Sequence, residues 1–415
     1  MLSPKDTAIK RILRQPSFSI FLGMFVAGLG QVVMASSADR FLNDKEFVAL
    51  ITWNSFFGIV SLLIGSPLVA LVIVHTSKEN EEFDIRKMQS SAITIGFLVS
   101  VFASVAWTLG GAKFGHESQL LPVILLVLSP IYQVHAANQR GLLASSSQWF
   151  GVAIQLGSEG LLRGGLVLGF GLVGLRSATL MIFSSWVSTV LSVELTYKFF
   201  AVDRACSLPG PLGRPVLRLF IPLWISSAAM HLILTLTPNL MALRTNDAVA
   251  IGAISIGLFI LRIPLTLSST VFTPIIGPIS KAESSAIALS IFRKTLLLTS
   301  VFSVTLGTFS FILGPLVMKI VSSNVLLAQS SIVGMLGLAS GLFLLAAALH
   351  TYLLSRKLMK QISVGWAVTS IVFLLAMVST RNSAQSVAFI VLISSAIALF
   401  SLGVGLASGL KREIS

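Results

Sequence analysis

The sequence predicts an all-α polytopic membrane protein of about 12 transmembrane helices, arranged as two parallel six-helix bundles with both termini cytoplasmic. Three observations predict it. Of 415 residues, 55% are hydrophobic and only 11% charged, and the mean hydropathy is +0.93; a soluble chain carries about a quarter charged residues to cover its surface. Apolar runs of about 20 residues, the length that crosses the hydrocarbon core, recur from end to end. Lys and Arg fall unevenly in the gaps between those runs, as cytoplasmic loops require.

The spans lie at roughly 17–36, 47–74, 89–110, 119–137, 147–173, 177–199, 217–240, 248–276, 294–316, 327–354, 362–380 and 384–409. The first follows Lys5, Lys10, Arg11 and Arg14. It is longer than the apolar core of a signal peptide, about 7–15 residues, so it is expected to remain as a helix. Pro67, Pro130, Pro222, Pro238, Pro264 and Pro274 are expected to bend spans two, four, seven and eight. Gly160-xxx-Gly164, Gly165-xxx-Gly169 and Gly405-xxx-Gly409 are close-packing signals. With the N-terminus inside, the cytoplasmic gaps hold 20 of the 29 Lys and Arg residues and the outer gaps hold seven. Arg163 and Arg262 alone fall inside spans, with Lys198, Arg218 and Lys294 at span ends counted in the cytoplasmic gaps. A missed helix would invert every later gap, so this asymmetry favours an even count.

Between spans six and seven, Cys206 to Pro215 packs three prolines and two glycines into ten residues. Such a segment does not continue a helix. The expected division is therefore 1–200 as an N-terminal bundle, 201–216 as a cytoplasmic linker and 217–415 as a C-terminal bundle. Weak internal matches suggest a diverged duplication: Thr76-Ser77-Lys78-Glu79 with Ile279-Ser280-Lys281, His135 with His350, and Trp149 with Trp366. Six spans per half make the repeats parallel, about an axis along the membrane normal.

Several functions are excluded or disfavoured. A net charge of +14 would suggest nucleic acid in a soluble protein, but here it sits mostly in cytoplasmic loops, so no nucleic-acid partner is expected. Cys206 is the only cysteine and the five histidines are scattered, so no metal centre is expected. No Walker motif is present for ATP hydrolysis. Short loops leave little room for catalytic residues, and Asp39 and Asp44 make a poor acid pair for a glycosyltransferase. No catalytic residue and no cofactor are expected.

Charges inside the membrane are the costly ones, at about 2.5–3.5 kcal/mol for a central Arg or acid. Glu159 and Arg163 lie one turn apart in span five, in the favourable order for an i,i+4 pair. Two readings are open: a self-neutralising structural pair, or part of a hydrated path shared with Arg262 of span eight. Two Arg against one Glu would suit an anionic substrate such as a phosphate or pyrophosphate, which Arg grips by paired hydrogen bonds. Gln133, His135 and Asn138 of span four, Gln31 of span one, and His231 and His350 are candidates for cavity lining or for proton or sodium coupling. Packing between helices is the competing role for each.

Two parallel halves of six spans also occur in transporters of the major facilitator type. The loop His75 to Lys87, however, lacks the glycines of that group's signature. The chain instead resembles the polysaccharide-unit flippases of the multidrug/oligosaccharidyl-lipid/polysaccharide exporter (MOP) superfamily. The resemblance lies in Lys45-Glu46-Phe47, in Asn138-Gln139-Arg140-Gly141-Leu142-Leu143 through Trp149 to Glu159-Gly160-Leu161-Leu162-Arg163, in Leu261-Arg262-Ile263-Pro264-Leu265, and in the helix end from Pro274 to Ser280. It implies a transporter, not an enzyme, in a bacterial cytoplasmic membrane. The implied cargo is a lipid-linked oligosaccharide on a polyprenyl pyrophosphate carrier, flipped to the outer leaflet by alternating access. The implied partners are that substrate, membrane lipids, and the glycosyltransferases or polymerase of the same pathway. Glu159, Arg163 and Arg262 match the charged central cavity of the group. Span one offers only Gln31, unlike the cationic first helix of the peptidoglycan-precursor branch. A drug or small-solute exporter is the alternative, with a membrane glycosyltransferase or polymerase behind it.

Overall fold

The computed structural model describes residues 16–76, 85–110, 114, 120–200, 233–259, 264, 272, 279, 282, 284–322, 324–356, 358–380 and 383–414. These residues are helical throughout apart from short turns, and no strand occurs among them. The chain folds as two compact units, Met1–Leu223 and Trp224–Ser415. The expected linker at 201–216 lies outside the described residues.

Unit 1 contains α1 (Pro16–Phe41), α2 (Asp44–Thr76), α3 (Ile85–Gly110), α4 (Leu120–Ser145), α5 (Trp149–Leu172) and α6 (Ala178–Phe200). The turn between α1 and α2 is set locally. Asn43 Oδ1 accepts from the Glu46 amide at 2.9 Å while its side-chain amide donates to Glu46 at 3.1 Å. This is a reciprocal cap of the kind that fixes a helix start. At the other end of α5, Gly174 takes φ +82° and the Leu175 amide bonds back to the Phe170 carbonyl at 2.9 Å, a glycine-dependent C-cap.

The main seam of unit 1 is α1 against α5. Gly160 and Gly164 meet α1 backbone to backbone: a Cβ on Gly160 would lie 2.4 Å from the Ala27 Cα, and one on Gly164 2.5 Å from the Gly30 carbonyl oxygen. The Gly160-xxx-Gly164 signal is thus a true contact surface. Gly165 and Gly169 face nothing within 4 Å, so that signal marks no packing. On its other sides α5 meets α6 and α4, and α4 also packs on α2 and α3. The Trp53 indole donates to the Pro122 carbonyl at 2.9 Å and pins α2 to α4.

Unit 2 is described from α7 (233–244) and α8 (Ala248–Phe259) onward. Then follow α9 (Ser285–Ile312), the short α10 (Gly314–Val321), α11 (Ser330–Ser355), α12 (Met359–Ser379) and α13 (Ala384–Ile414). Ser284 caps α9 by accepting from the Ile287 amide. The expected ninth span, 294–316, is interrupted: α9 stops at Leu313, and Pro315 opens α10. The α11 helix is the centre of the unit, held between α9 and α13. Gly405 and Gly409 both press α13 onto the start of α12, against Gln361 and Leu358.

Nine helices among the described residues are long and apolar enough to cross a membrane. Outward rows such as Phe18, Phe21, Phe25 and Leu29 on α1, and Leu297, Leu298, Val301 and Phe302 on α9, are apolar and exposed. Lipid is the solvent that such rows fit. At 24 residues, α5 is as long as the others, about 36 Å. It is not among the nine. Gln155, Glu159, Arg163 and seven glycines lower its hydropathy, and the face that carries the ion pair is turned to its neighbours while Leu161, Leu168 and Leu172 are exposed.

Candidate functional site

Glu159 and Arg163 project from α5 into the interior of unit 1. Arg163 is only 8% exposed. Its Nη2 donates to Glu159 Oε1 at 2.8 Å. Thr189, on α6, closes the ring: its hydroxyl donates to the same Glu159 oxygen at 2.9 Å and lies 3.4 Å from Arg163 Nη2. From α2, the ring of Phe57 lies beneath the guanidinium at 5.6 Å, close enough for a cation–π contact. The buried Arg163 Nε has no hydrogen-bond partner among the described residues.

Arg140 is a further, half-buried guanidinium of unit 1, and the sequence reading missed it. That reading placed Arg140 in the cytoplasmic gap after span four. The structure instead continues α4 to Ser145, which carries Arg140 within the helix. Arg140 donates Nε to the Ala136 carbonyl at 3.1 Å, and its Nη2 would lie 3.8 Å from a Cβ placed on Gly65 of α2. Three helices therefore bring one guanidinium, one carboxylate, one hydroxyl and one aromatic face together, and α4 adds a second guanidinium to unit 1. The signal available in the sequence was the Asn-Gln-Arg-Gly run itself, which lies 18 to 21 residues before Glu159 and reads as a loop only if span four ends at its apolar boundary.

Beside the charges lies a polar band. Gln133, Asn138, Gln139 and Gln155 are buried. Gln155 Nε2 reaches the Ala136 carbonyl and Gln139 Nε2 the Val193 carbonyl, each at 3.3 Å, tying α4 to α5 and to α6. Gln133 Nε2, both polar atoms of Asn138, and the Oε1 atoms of Gln139 and Gln155 have no partner among the described residues. Buried amides are nearly always satisfied, so this concentration marks unit 1 as an interior built for polar company. His135 is half-buried within electrostatic reach of Glu194 on α6. On α6, Ser184, Ser185, Ser188, Thr189, Ser192 and Thr196 form a buried hydroxyl face at helical spacing. Most bond back to their own helix, which lets the face stay polar in a close-packed setting.

Gln31 is half-buried on α1. His350 is in unit 2, where its Nδ1 accepts from the Trp366 indole at 3.0 Å, joining α11 to α12. The matched pair in unit 1 is not equivalent: Trp149 packs beside Leu143 and Val152 rather than against His135. Arg262 and His231 lie outside the described residues. No cluster of three or more metal-ligating side chains occurs among the described residues.

No protein-family model and no curated protein matches the chain. Solved structures do match along nearly its whole length. The eukaryotic MATE transporter AtDTX14 aligns with a TM-score of 0.60 at 15% identity, over 96% of this chain and 95% of that one. A MOP superfamily transporter from Pyrococcus furiosus, described as having a binding pocket of reverse polarity, aligns at 0.57 and 14%, over 97% and 95%. The Vibrio cholerae MATE transporter VcmN aligns at 0.60 and 11%, over 98% of both chains. At such identities the likeness is one of fold. The chain is an all-helical, multi-pass membrane protein with the fold of the MOP-superfamily MATE transporters, and a layout of 12 helices in two bundles fits that fold.

Proposed function

We propose that this chain is a membrane transporter, not an enzyme, that flips a polyprenyl-pyrophosphate-linked oligosaccharide from the cytoplasmic to the outer leaflet by alternating access. The observation that carries this reading is the excess of guanidinium over carboxylate inside unit 1, where Arg163 pairs with Glu159 on α5 and α4 adds the half-buried Arg140. A net positive interior favours an anionic headgroup and disfavours the organic cations that an acid-rich cavity would take. The buried carboxamides of Gln133, Asn138, Gln139 and Gln155 offer donors and acceptors suited to sugar hydroxyls. Arg262, Gln31, His231 and His350 remain proposed contributors, the histidines through proton or sodium coupling. Both termini are proposed to be cytoplasmic, in a bacterial cytoplasmic membrane, alongside glycosyltransferases or a polymerase that make and consume the lipid-linked unit.

Export of a drug or small solute is the second reading. It is favoured by the fold, since solved chains of this fold include multidrug resistance MATE transporters. One experiment separates the two. The chain is expressed in a bacterium that lacks its own flippase for a defined surface polysaccharide, and both surface polymer and drug susceptibility are measured. Restored polymer with unchanged susceptibility supports flipping; changed susceptibility with no polymer supports drug export. Arg262→Ala, at normal protein level, is expected to leave lipid-linked units facing the cytoplasm. Unchanged export by that variant removes Arg262 from the mechanism.

A further inference from the structure

In unit 2 a helix break coincides with a membrane boundary. Arg293 and Lys294 of α9 are exposed and mark one edge of the hydrocarbon, and no charged residue follows them until Lys319. Residues 295–312 of α9 rise about 27 Å, against a hydrocarbon core of about 30 Å. The helix has therefore crossed the bilayer where it ends. Continued straight, it would carry residue 320 about 38 Å above residue 295, past the far edge of the hydrocarbon. It is interrupted instead: α9 is capped at Leu313, and Pro315, which has no N–H to donate, lies in the first turn of α10. Yet α10 turns an apolar stripe outward. Leu313, Leu316, Val317 and Ile320 follow the i, i+3, i+4, i+7 spacing of one helix face, and all four are exposed, Leu316 at 60%. Gly314 and Met318, on the opposite face, are buried in the unit, and a Cβ on Gly314 would lie 2.5 Å from the Val333 side chain of α11. Lys319 is exposed beside the stripe.

We propose that α10 is an interfacial anchor that binds phospholipid: it lies at the headgroup level of the leaflet opposite Arg293 and Lys294, with its apolar stripe among the upper acyl chains and Lys319 paired with a lipid phosphate. The stripe continues the lipid-facing row of α9, which runs to Ile312, so its occupant is the same lipid met at its polar end. Charge complementarity identifies that end, because an ammonium beside an apolar stripe fits a phosphate above acyl chains. Water or free phosphate would satisfy Lys319 and leave the stripe exposed. Helices of this kind seat their apolar face about 5–10 Å into the headgroup–acyl boundary, and a lysine stem is long enough to return its charge to the phosphates. The anchor is tied to the rest of the unit. Just after α10, the Asn324 side chain accepts from the Leu326 amide at 3.0 Å and donates to the Val249 carbonyl, in the first turn of α8, at 2.9 Å. Through Gly314 and Asn324, α10 sets the depth at which α11 and α8 sit in the membrane.

The test uses the full-length protein carrying Cys206→Ser, which removes its only cysteine, in vesicles of phosphatidylcholine and phosphatidylglycerol. Nitroxide labels are placed on Leu316→Cys and, separately, on Ile320→Cys. Power-saturation EPR then compares collisions with oxygen, which concentrates in lipid, and with a water-soluble nickel chelate. Oxygen collisions are expected to exceed nickel collisions several-fold at both positions, at a depth about 5–10 Å below the phosphates. In the Ile320→Cys background, Lys319→Glu is expected to raise nickel collisions several-fold by repelling the phosphate, and Lys319→Arg to leave them unchanged. Should one cysteine variant fail to fold, the other carries the reading, with the Lys319 variants built in it. Dominant nickel collisions at either position put α10 in water and overturn the proposal. So do low collisions with both reagents, which mean that a second copy or another protein covers the stripe, and a label depth near the bilayer centre, which makes α10 part of a span. Unchanged nickel collisions in Lys319→Glu overturn the phosphate pairing.

Discussion

Unit 1 and unit 2 are built from helices of similar length and apolarity, yet their interiors differ. Unit 1 buries Arg163 and four glutamine or asparagine side chains of α4 and α5, and leaves much of their hydrogen-bonding capacity unmatched among the described residues. Among the described residues of unit 2 no Lys, Arg, Asp or Glu is buried. Its buried polar groups are mainly hydroxyls that return to their own helix, as in Thr237, Ser255, Thr369 and Ser394. The packing seams differ in degree. In unit 1 Gly160 and Gly164 bring α1 and α5 together backbone to backbone; in unit 2 Gly341 of α11 meets the Ser303 backbone of α9, whereas the α12–α13 glycines meet side chains. One layout therefore supports two kinds of interior, one that holds an ionic pair on a less apolar helix and one in which no described charge is buried.

The strongest way to break this comparison is at the seam. Gly160→Leu drives a side chain into the Ala27 backbone, which cannot yield without separating α1 from α5. The expected cost exceeds the usual overpacking penalty of about 1–3 kcal/mol. Folded protein, measured by size-exclusion chromatography after detergent extraction, should fall sharply. A normal yield would mean the seam is looser than its geometry.

Next in size is the charge itself. Arg163→Met leaves Glu159 without its cation and should destabilise unit 1 by about 3 kcal/mol, the usual result of breaking a largely buried pair from one side. Replacing both residues, Glu159→Gln with Arg163→Met, should restore most of the thermal midpoint while abolishing transport. If the double variant still transports, the pair is structural and the contrast between the units is one of folding alone.

How far the sequence led can be judged from these same residues. Composition and run length gave the all-helical membrane class, because lipid exposure leaves a coarse signal that any 20-residue window carries. The i,i+4 spacing of Glu159 and Arg163 gave their contact, since a helix fixes it locally. Thr189 was not legible: it comes from α6, and only tertiary packing carries it to α5. Arg140 was hidden because span four was ended where its apolar run ends, whereas the helix continues through its polar last turns. Similarly, Gly165 and Gly169 repeat the spacing of Gly160 and Gly164 one residue out of phase, which turns them to a face that meets nothing.

Smaller effects sharpen the comparison from the side of unit 2. Trp366→Phe removes the indole bond to His350 and should cost about 1 kcal/mol, seen as a lowered midpoint with transport unchanged. Lost transport at normal stability would instead give His350 a coupling role. Smallest of all, Gly165→Ala places a methyl in open space on α5 and should stabilise by up to about 1 kcal/mol through helix propensity.

The α1–α5 seam has a consequence for synthesis as well. Its two faces, Gly23 with Ala153 and Ala27 with Gly160, are about 130 residues apart, so at 5–20 residues per second α1 emerges roughly ten seconds before its partner. In that interval α1, apolar along its length, can wait in lipid by itself. A late-arriving α5, with its ionic pair and its glycines, has no such independence. Its entry into the bilayer is expected to be templated, with α1 held in reserve as the groove that receives α5.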